Sequence, residues 1–384
     1  MPAKKVLFCA TVDYHFKAFH LPYLKWFKEE GWEVHIAASG ELKLPYTDRK
    51  FNIPIQRSPF QMKNIEAYKE LKRIMDKNHY DIIHCHTPMG GVLSRIAARK
   101  TRSQGTKVIY TAHGFHFCKG SPLLNWFVYY PIEKKLANDT DWLITINQED
   151  YQLALKRFNA TQVEYVKGVG IDSNVFTPLI EEEKRKRKES FGYHPDDFLL
   201  FYAAEFNQNK NQKYLLEALV LLKEKLPQVK LLLAGKGPLL QSCQTLSHTL
   251  GISDHVDFLG FRDDLKELVP MCDIAVASSL REGLPVNIME AMSCELPVVA
   301  VDNRGHKELV VSGKTGWLVQ PESPEQLAAK VNDLAMDEVT RRAFGKSGRK
   351  RILSDFNVDQ ILQHKRMIYT SCIQGTEEVN WALQ

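Results

Sequence analysis

Short apolar runs alternate with stretches of helical period along the whole chain. Val6-Leu7-Phe8-Cys9-Ala10-Thr11-Val12 is almost continuously apolar and stops at Asp13, the pattern of a strand buried on both faces. A helical pattern follows over Phe16–Glu30, closed by Gly31 just past its C-terminus. Further strands are predicted at Glu33–Ala38, near Asn52–Gln56, and at Asp81–Cys85, Lys107–Ala112, Trp142–Ile146 and Val163–Val166. Helices are predicted at Ile65–Lys77, Val92–Thr101, Leu123–Ala137 and Asp150–Phe158. The second half repeats this grammar, with strands near Phe198–Ala203, Lys230–Ala234, Val256–Leu259, Ile274–Ala277, Pro297–Ala300 and Gly316–Val319, each followed by a helix. Such alternation predicts an α/β chain of parallel sheets covered on both faces, and two runs predict two Rossmann-like domains. Turn residues cluster at Gly168–Pro178, so the expected domains are 1–172 and 173–350, followed by a helical tail, 351–384.

A length of 384 residues, 44% hydrophobic and 25% charged, suits two ordinary globular domains. The net charge of +5 fits phosphorylated substrates or an anionic membrane surface and proves neither. Seven Cys without a Cys-x-x-Cys pair read as reduced core residues of a cytoplasmic protein. The apolar run after Lys4-Lys5 is too short for a signal peptide, and no stretch is long enough to span a bilayer. Glu181–Lys188 offers three i,i+4 acid–base pairs, Glu181/Arg185, Glu182/Lys186 and Glu183/Arg187, which reads as a solvated helix rather than a nucleic-acid surface.

The chemistry concentrates after the strand Asp273–Ala277. Ser278-Ser279 end that strand, Glu282-Gly283 turn the chain, and Pro285 suits the first position of a helix whose apolar period runs through Met292. This geometry aims free backbone N–H groups at the space above the strand's end, where the helix dipole favours an anion. Glu282 and Glu290 stand beside that spot. Bare carboxylates would repel an anion, so both are expected to accept hydrogen bonds from hydroxyl groups. An anion flanked by hydroxyls describes a sugar nucleotide.

Glu282, seven residues, Glu290, then Ala291-Met292-Ser293-Cys294-Glu295-Leu296-Pro297-Val298-Val299-Ala300 resembles the donor-site signature of GT-B retaining glycosyltransferases of family GT4, in its bacterial capsular and exopolysaccharide form. The family often has Gly where this chain has Glu295, a difference expected to touch only the helix's C-terminal stop. The resemblance implies a GT-B fold, two Rossmann-like domains with parallel sheets facing across a ligand cleft, and a tail that packs back on the first domain. It also implies metal-independent, cofactor-free transfer from a nucleotide diphosphate sugar, most often UDP-linked. Glu290 would take the ribose hydroxyls and the backbone near Phe261-Arg262 the base. Lys210 and the backbone of Gly283, Leu284 and Pro285 would take the diphosphate. Glu282 and His113 would be the catalytic residues on the donor sugar, with His116 the alternate to His113, because Thr111-Ala112-His113-Gly114 matches the family's active-site histidine. A diphosphate oxygen would take the acceptor's proton, so no protein base is assigned.

The phosphate clamp departs from the family. Relatives carry Gly-Arg and then Lys; here Ala204-Glu205-Phe206-Asn207-Gln208-Asn209-Lys210 keeps the Lys and puts Glu205 at the Arg position. Asn207 could add a donor, or Glu205 could pair with another cation. Thr11-Val12-Asp13-Tyr14-His15 replaces the family's Gly-Gly loop. Three other signals fail on context. Gly313-Lys314-Thr315 lacks the upstream Gly of a P-loop, Asp139-Thr140-Asp141 precedes a strand rather than following one, and Gly235-Lys236-Gly237 reads as a tight turn. His84, His86, His113 and His116 end two strands and could approach one another. No acid or Cys set accompanies them to complete a zinc site, so hydrogen-bond donation is the better reading.

Leu123–Tyr130 is apolar around most of a helix, which fits either core or a membrane-surface helix flanked by Lys119, Lys134 and Lys135. Arg95, Arg99 and Arg102 share a helix face that could meet lipid head groups. The reading is a cytoplasmic glycosyltransferase, peripheral on the inner face of the plasma membrane, extending a lipid-linked surface saccharide without nucleic acid, metal or cofactor. Its rivals are a sugar-nucleotide 2-epimerase of the same fold and a non-catalytic partner in polysaccharide assembly.

Overall fold

The computed structural model describes residues 3–374; positions 375–384 of the expected tail lie outside the described residues. Residues 3–169 with 360–374 make one compact unit and 170–359 a second.

The first unit carries β1 (Lys5–Val12), β2 (Glu33–Ser39), β3 (Arg49–Asn52), β4 (Ile82–His86), β5 (Lys107–Ala112), β6 (Trp142–Thr145) and β7 (Gln162–Tyr165). They form one parallel sheet in the order β3-β2-β1-β4-β5-β6-β7. Period-2 alternation along β1 divides the core. Val6, Phe8 and Ala10 pack with Phe16, Tyr23 and Phe27 and with Ile361, Ile368 and Tyr369 of the last helix, Val358–Gln374. Leu7 and Cys9 pack on the other face with Leu71, Ile74, Met75 and Leu93.

The second unit carries β8 (Phe198–Ala203), β9 (Val229–Ala234), β10 (Val256–Gly260), β11 (Ile274–Ala277), β12 (Val298–Val301) and β13 (Gly316–Val319), parallel in the order β10-β9-β8-β11-β12-β13. Strand order reverses at β1/β4 in the first sheet and at β8/β11 in the second. At such points the following helices leave toward opposite faces and open a crevice at the strands' carboxyl ends, where ligands of doubly wound sheets bind.

Several elements differ from the sequence expectation. The helix expected over Phe16–Glu30 is two, Tyr14–Phe19 and Leu21–Glu29, broken at His20 because Pro22 has no N–H to continue the first. The strand expected near Asn52–Gln56 lies at Arg49–Asn52: Ile53 and Ile55 are buried, but Pro54 between them cannot join a ladder. The helix expected over Val92–Thr101 is Pro88–Ala97 followed by Arg99–Ser103. Glu181–Ser190 is a helix, but only Glu182/Lys186 of its three expected pairs forms. Arg185 pairs with Asp196 and Arg187 with Glu267, while Lys184 and the buried Lys188 both engage Asp273, just before β11. That face of the helix is therefore anchored rather than solvated. All seven cysteines are free and buried.

Glu295 follows the helix Val286–Ser293 with φ +60°, the left-handed conformation that a C′ glycine adopts without strain. A non-glycine residue there costs about 1 kcal/mol or more, offset in part by the greater unfolded-chain entropy of Gly. Glu295→Gly should therefore raise stability by up to about 1 kcal/mol, a Tm gain of roughly 2–4 °C in a unit of this size. A lower Tm by calorimetry would show that the Glu295 side chain contributes more than its backbone costs.

Candidate functional site

The reversal at β8/β11 puts two loops side by side, Ala204–Asn211 after β8 and Ser278–Pro285 after β11. Backbone and side-chain hydrogen bonds lace them together. Leu280 N–H donates to the Asn209 carbonyl at 2.8 Å, the Asn209 side-chain amide to the Arg281 carbonyl at 2.9 Å, and Ser278 Oγ to the Lys210 carbonyl at 2.7 Å. Tyr202 OH and Ser279 Oγ meet at 2.6 Å beneath them. A third loop joins from β12: Asn303 Nδ2 donates to the Ser279 carbonyl at 2.7 Å, while its Oδ1 caps the helix Arg304–Leu309. Arg304 Nε donates to the Glu282 carbonyl at 3.0 Å.

Within this frame Lys210 and Glu282 form an ion pair, Nζ to Oε1, with both side chains largely buried. Lys210 is also held through its backbone, whose N–H donates to Asn207 Oδ1 at 3.0 Å, and Asn207 Nδ2 donates to Glu205 Oε2 at 3.2 Å. Glu205 thus contacts an amide rather than a cation. Gly305 lets the helix Arg304–Leu309 approach this close: a Cβ there would lie 2.5 Å from Glu282 Cβ. Gly235 and Gly237 play the same part beside β8, where a Cβ would lie 2.0 Å from the Ala204 carbonyl oxygen and 2.4 Å from that of Phe206.

Pro285 is the N-cap of the helix Val286–Ser293, one position before the expected one, and no side chain caps the helix. Its first N–H groups and the turn at Gly283 and Leu284 therefore remain available to an acceptor, and the dipole there favours an anion. Glu290 lies on the same helix, half-buried, and burial alone pushes its carboxyl up to about 8. A carboxyl group without a side-chain hydrogen bond among the described residues, little more than one turn from an uncapped helix start, can take hydrogen bonds from a ligand's hydroxyls. Arg262 is different: Asp264 takes its guanidinium, which leaves its backbone for a ligand.

At the β1/β4 reversal the first unit gathers imidazoles. His15, His20, His86 and His113 bring ring nitrogens within 4.8 Å of one another. The cluster expected from sequence named His84, His86, His113 and His116; the structure keeps two of these and adds His15, in the first turn of the short helix Tyr14–Phe19, and His20, just past its end. His84 has both ring nitrogens engaged, by Tyr369 OH and Thr111 Oγ1. His116 is exposed and lies against the Tyr129 ring. His113 Nε2 lies 3.3 Å from His86 Nδ1, and burial first, then neighbouring cationic forms, hold His113 far below the usual histidine range. It is a neutral donor–acceptor at pH 7. Buried Lys365, from the last helix, is pushed down to about 7 and sits 4.4 Å above the Tyr23 ring. The spacing His15/His20 is the only sequence trace of these two added imidazoles, and Lys365 leaves none.

The three arginines that could meet lipid head groups are each paired within the protein. Arg95 is buried on Glu133 at 2.8 Å, Arg99 pairs with Asp139, and Arg102 forks onto Asp141. Those pairs also occupy both carboxylates of Asp139-Thr140-Asp141. The helix Leu123–Ala137 is divided rather than all core: Trp126, Tyr129 and Tyr130 pack on the first unit, while Leu123, Leu124 and Phe127 are exposed. No helix among the described residues is long and apolar enough to cross a membrane.

Residues 183–351 match the family model for group 1 glycosyl transferases, and residues 5–147 match that for glycosyl transferase 4-like domains. EpsD of Bacillus subtilis (strain 168), named as a glycosyltransferase, is 50% identical over 370 residues, 96% of this chain and 97% of its own. An Escherichia coli UDP-Gal:alpha-D-GlcNAc-diphosphoundecaprenol alpha-1,3-galactosyltransferase is 26% identical over 85% of this chain and 84% of its own. Among solved structures, Anabaena HepE in complex with UDP and glucose superposes with a TM-score of 0.79 at 21% identity, over 96% of this chain and 100% of that one.

Because Gly305 admits Glu282 only by lacking a side chain, Gly305→Ala should destabilise the second unit by about 1–3 kcal/mol, the usual cost of overpacking. Denaturant unfolding measures it. An unchanged midpoint would mean that the loop carrying Glu282 yields freely and is not held in register by this contact.

Proposed function

Because the chain belongs to the GT4 glycosyltransferases of the group 1 family, with a GT-B fold, we propose that it transfers a sugar from a UDP-linked donor, with retention, to a lipid-linked saccharide of a growing surface polysaccharide. The observation that carries the donor half is the uncapped helix start at Pro285 with Lys210, Glu282 and Glu290 around it. The diphosphate lies on the N–H groups at Gly283, Leu284 and the helix start. Lys210 turns from Glu282 to the diphosphate, with Asn207 beside it in place of the second cation. Glu282, released from Lys210, accepts from the donor sugar, and Glu290 accepts from the ribose. The backbone at Arg262 faces the base. Charge grows on the leaving diphosphate during transfer, and dipoles already aimed there stabilise that state without reorganising. His113 is the active-site imidazole, neutral and able to donate. No metal is assigned, since Arg99 and Arg102 hold the DxD-like carboxylates.

The UDP donor is also supported by the UDP named with HepE and in the galactosyltransferase's title, and the acceptor class by the diphosphoundecaprenol named in that same title. Each describes its own protein; here they indicate which substrates to try first.

The two acids should fail in different ways. Glu290→Gln removes binding shared by ground and transition states, so the donor KM should rise about tenfold to a hundredfold with kcat less affected. Glu282→Gln should act mainly on kcat, because a misplaced sugar binds but seldom reacts. UDP alone should bind Glu282→Gln at least as well as wild type, since Lys210 is then unopposed. The reverse pattern in calorimetric titration would exchange the two roles.

Proton linkage gives an independent test. Glu290, raised to about 8, is mostly protonated at pH 7, and ribose hydroxyls donate best to its ionised form. UDP binding should therefore release part of a proton at pH 7, and affinity should rise with pH through about 8 and level off above it, once Glu290 is ionised before UDP arrives. Titration in buffers of different ionisation enthalpy measures the release. It should vanish in Glu290→Gln; an undiminished release in that variant would remove Glu290 from the ribose.

A further inference from the structure

A cavity of ≈ 1070 Å³ opens in the first unit beside the β1/β4 reversal, at or above the roughly 300–1,000 Å³ of sites that hold drug-sized ligands. Ile65 and Tyr68, Val92 and Ile96, and Val128 and Ile132 wall it from three helices. Its inner end is polar, lined by Thr11, Thr87, His15 and His113, while Phe60 and Met62, 86% and 76% exposed, line its outer part. The exposed Leu123, Leu124 and Phe127 continue that apolar surface along the helix that bears Val128.

A saccharide would need polar partners all along the walls, which are mainly apolar, and the carboxylate in the lining is already committed. Glu133 accepts from both Arg95 and Tyr110. Water in such walls finds few partners either. The charges are just as selective. The Glu133 carboxylate is neutralised by Arg95, and Asp13 near the inner end by Lys50, whereas Arg57, which lines the cavity, engages no partner among the described residues. Apolar walls, a polar inner end and one uncommitted cation complement a hydrocarbon chain that carries an anionic group.

We propose that this cavity holds the hydrocarbon chain of the lipid-linked acceptor, with its anionic end toward His113 and Arg57. This rests on the acceptor reading above and adds where the lipid is recognised. A flat bilayer would cover the exposed Phe60 and Phe127 but would not fill a recess between three helices. A chain drawn from the bilayer does both.

Fluorescence titration of the full chain with a dansylated farnesyl diphosphate, without detergent, tests this. Binding should saturate, persist with saturating UDP, and yield to unlabelled farnesyl phosphate but not to inorganic pyrophosphate. Val92→Trp, which fills the cavity, should weaken it tenfold or more at unchanged Tm; Ile96→Asp serves as the second variant should the first fold poorly. Equal affinity in a folded variant, or displacement by pyrophosphate alone, overturns the proposal. So does sedimentation with prenyl-free anionic vesicles as the only lipid binding seen, equal in wild type and variant. Intact, variant-sensitive probe binding without transfer to any lipid-linked acceptor would instead sink the acceptor reading and leave the cavity assigned to a prenyl chain.

Discussion

The reversal of strand order between β8 and β11 is the constraint on which the proposed donor site depends. It sets two carboxyl-end loops next to each other, and the Lys210–Glu282 ion pair bridges them. Neither residue stands alone: Asn207, Asn209 and Ser278 hold the backbone around Lys210, and Arg304 and Gly305 hold Glu282. A largely buried pair of this kind contributes little net stability, because desolvation offsets most of the attraction. Its value is positional. It keeps a cation and a carboxylate beside an uncapped helix start, so that, in the proposed reaction, an entering diphosphate would displace one intramolecular contact instead of ordering a loop.

The same topology in the first sheet has a different outcome because different residues end the strands. β1 and β4 finish in Thr11, His86 and Thr87 instead of a glycine-rich phosphate loop, and the crevice fills with neutral imidazoles and apolar walls. Burial holds those rings uncharged. In the proposed reading one fold thus serves an anion in one unit and an amphiphile in the other, a division decided by a few residues at strand ends.

Much of this was legible in the sequence because it was local. Short apolar runs and helical periods marked nearly every strand, and the Glu282-to-Glu290 segment declared its strand–turn–helix geometry through Ser, Gly and Pro. What was hidden depended on partners far along the chain. Arg95, Arg99 and Arg102 looked like an exposed face until Glu133, Asp139 and Asp141 arrived from other elements. The Glu181–Lys188 pairs looked self-sufficient until Asp273 claimed two lysines. His15 and His20 join the imidazole cluster from a short helix and its end, and Lys365 from the distant last helix, an approach across the chain that no local pattern announces. Glu295 was noticed as a departure from glycine, but its left-handed backbone required coordinates.

The central claim is that a nucleotide diphosphate sugar binds at the β8/β11 reversal. Hydrogen–deuterium exchange of the full chain with and without UDP-glucose reads that location directly, because bound N–H groups exchange more slowly. Slowed exchange is expected in 204–211 and 282–290, with β9 and β13 little changed. Saturating ligand that leaves both segments unprotected while protecting another part of the second unit would contradict the account.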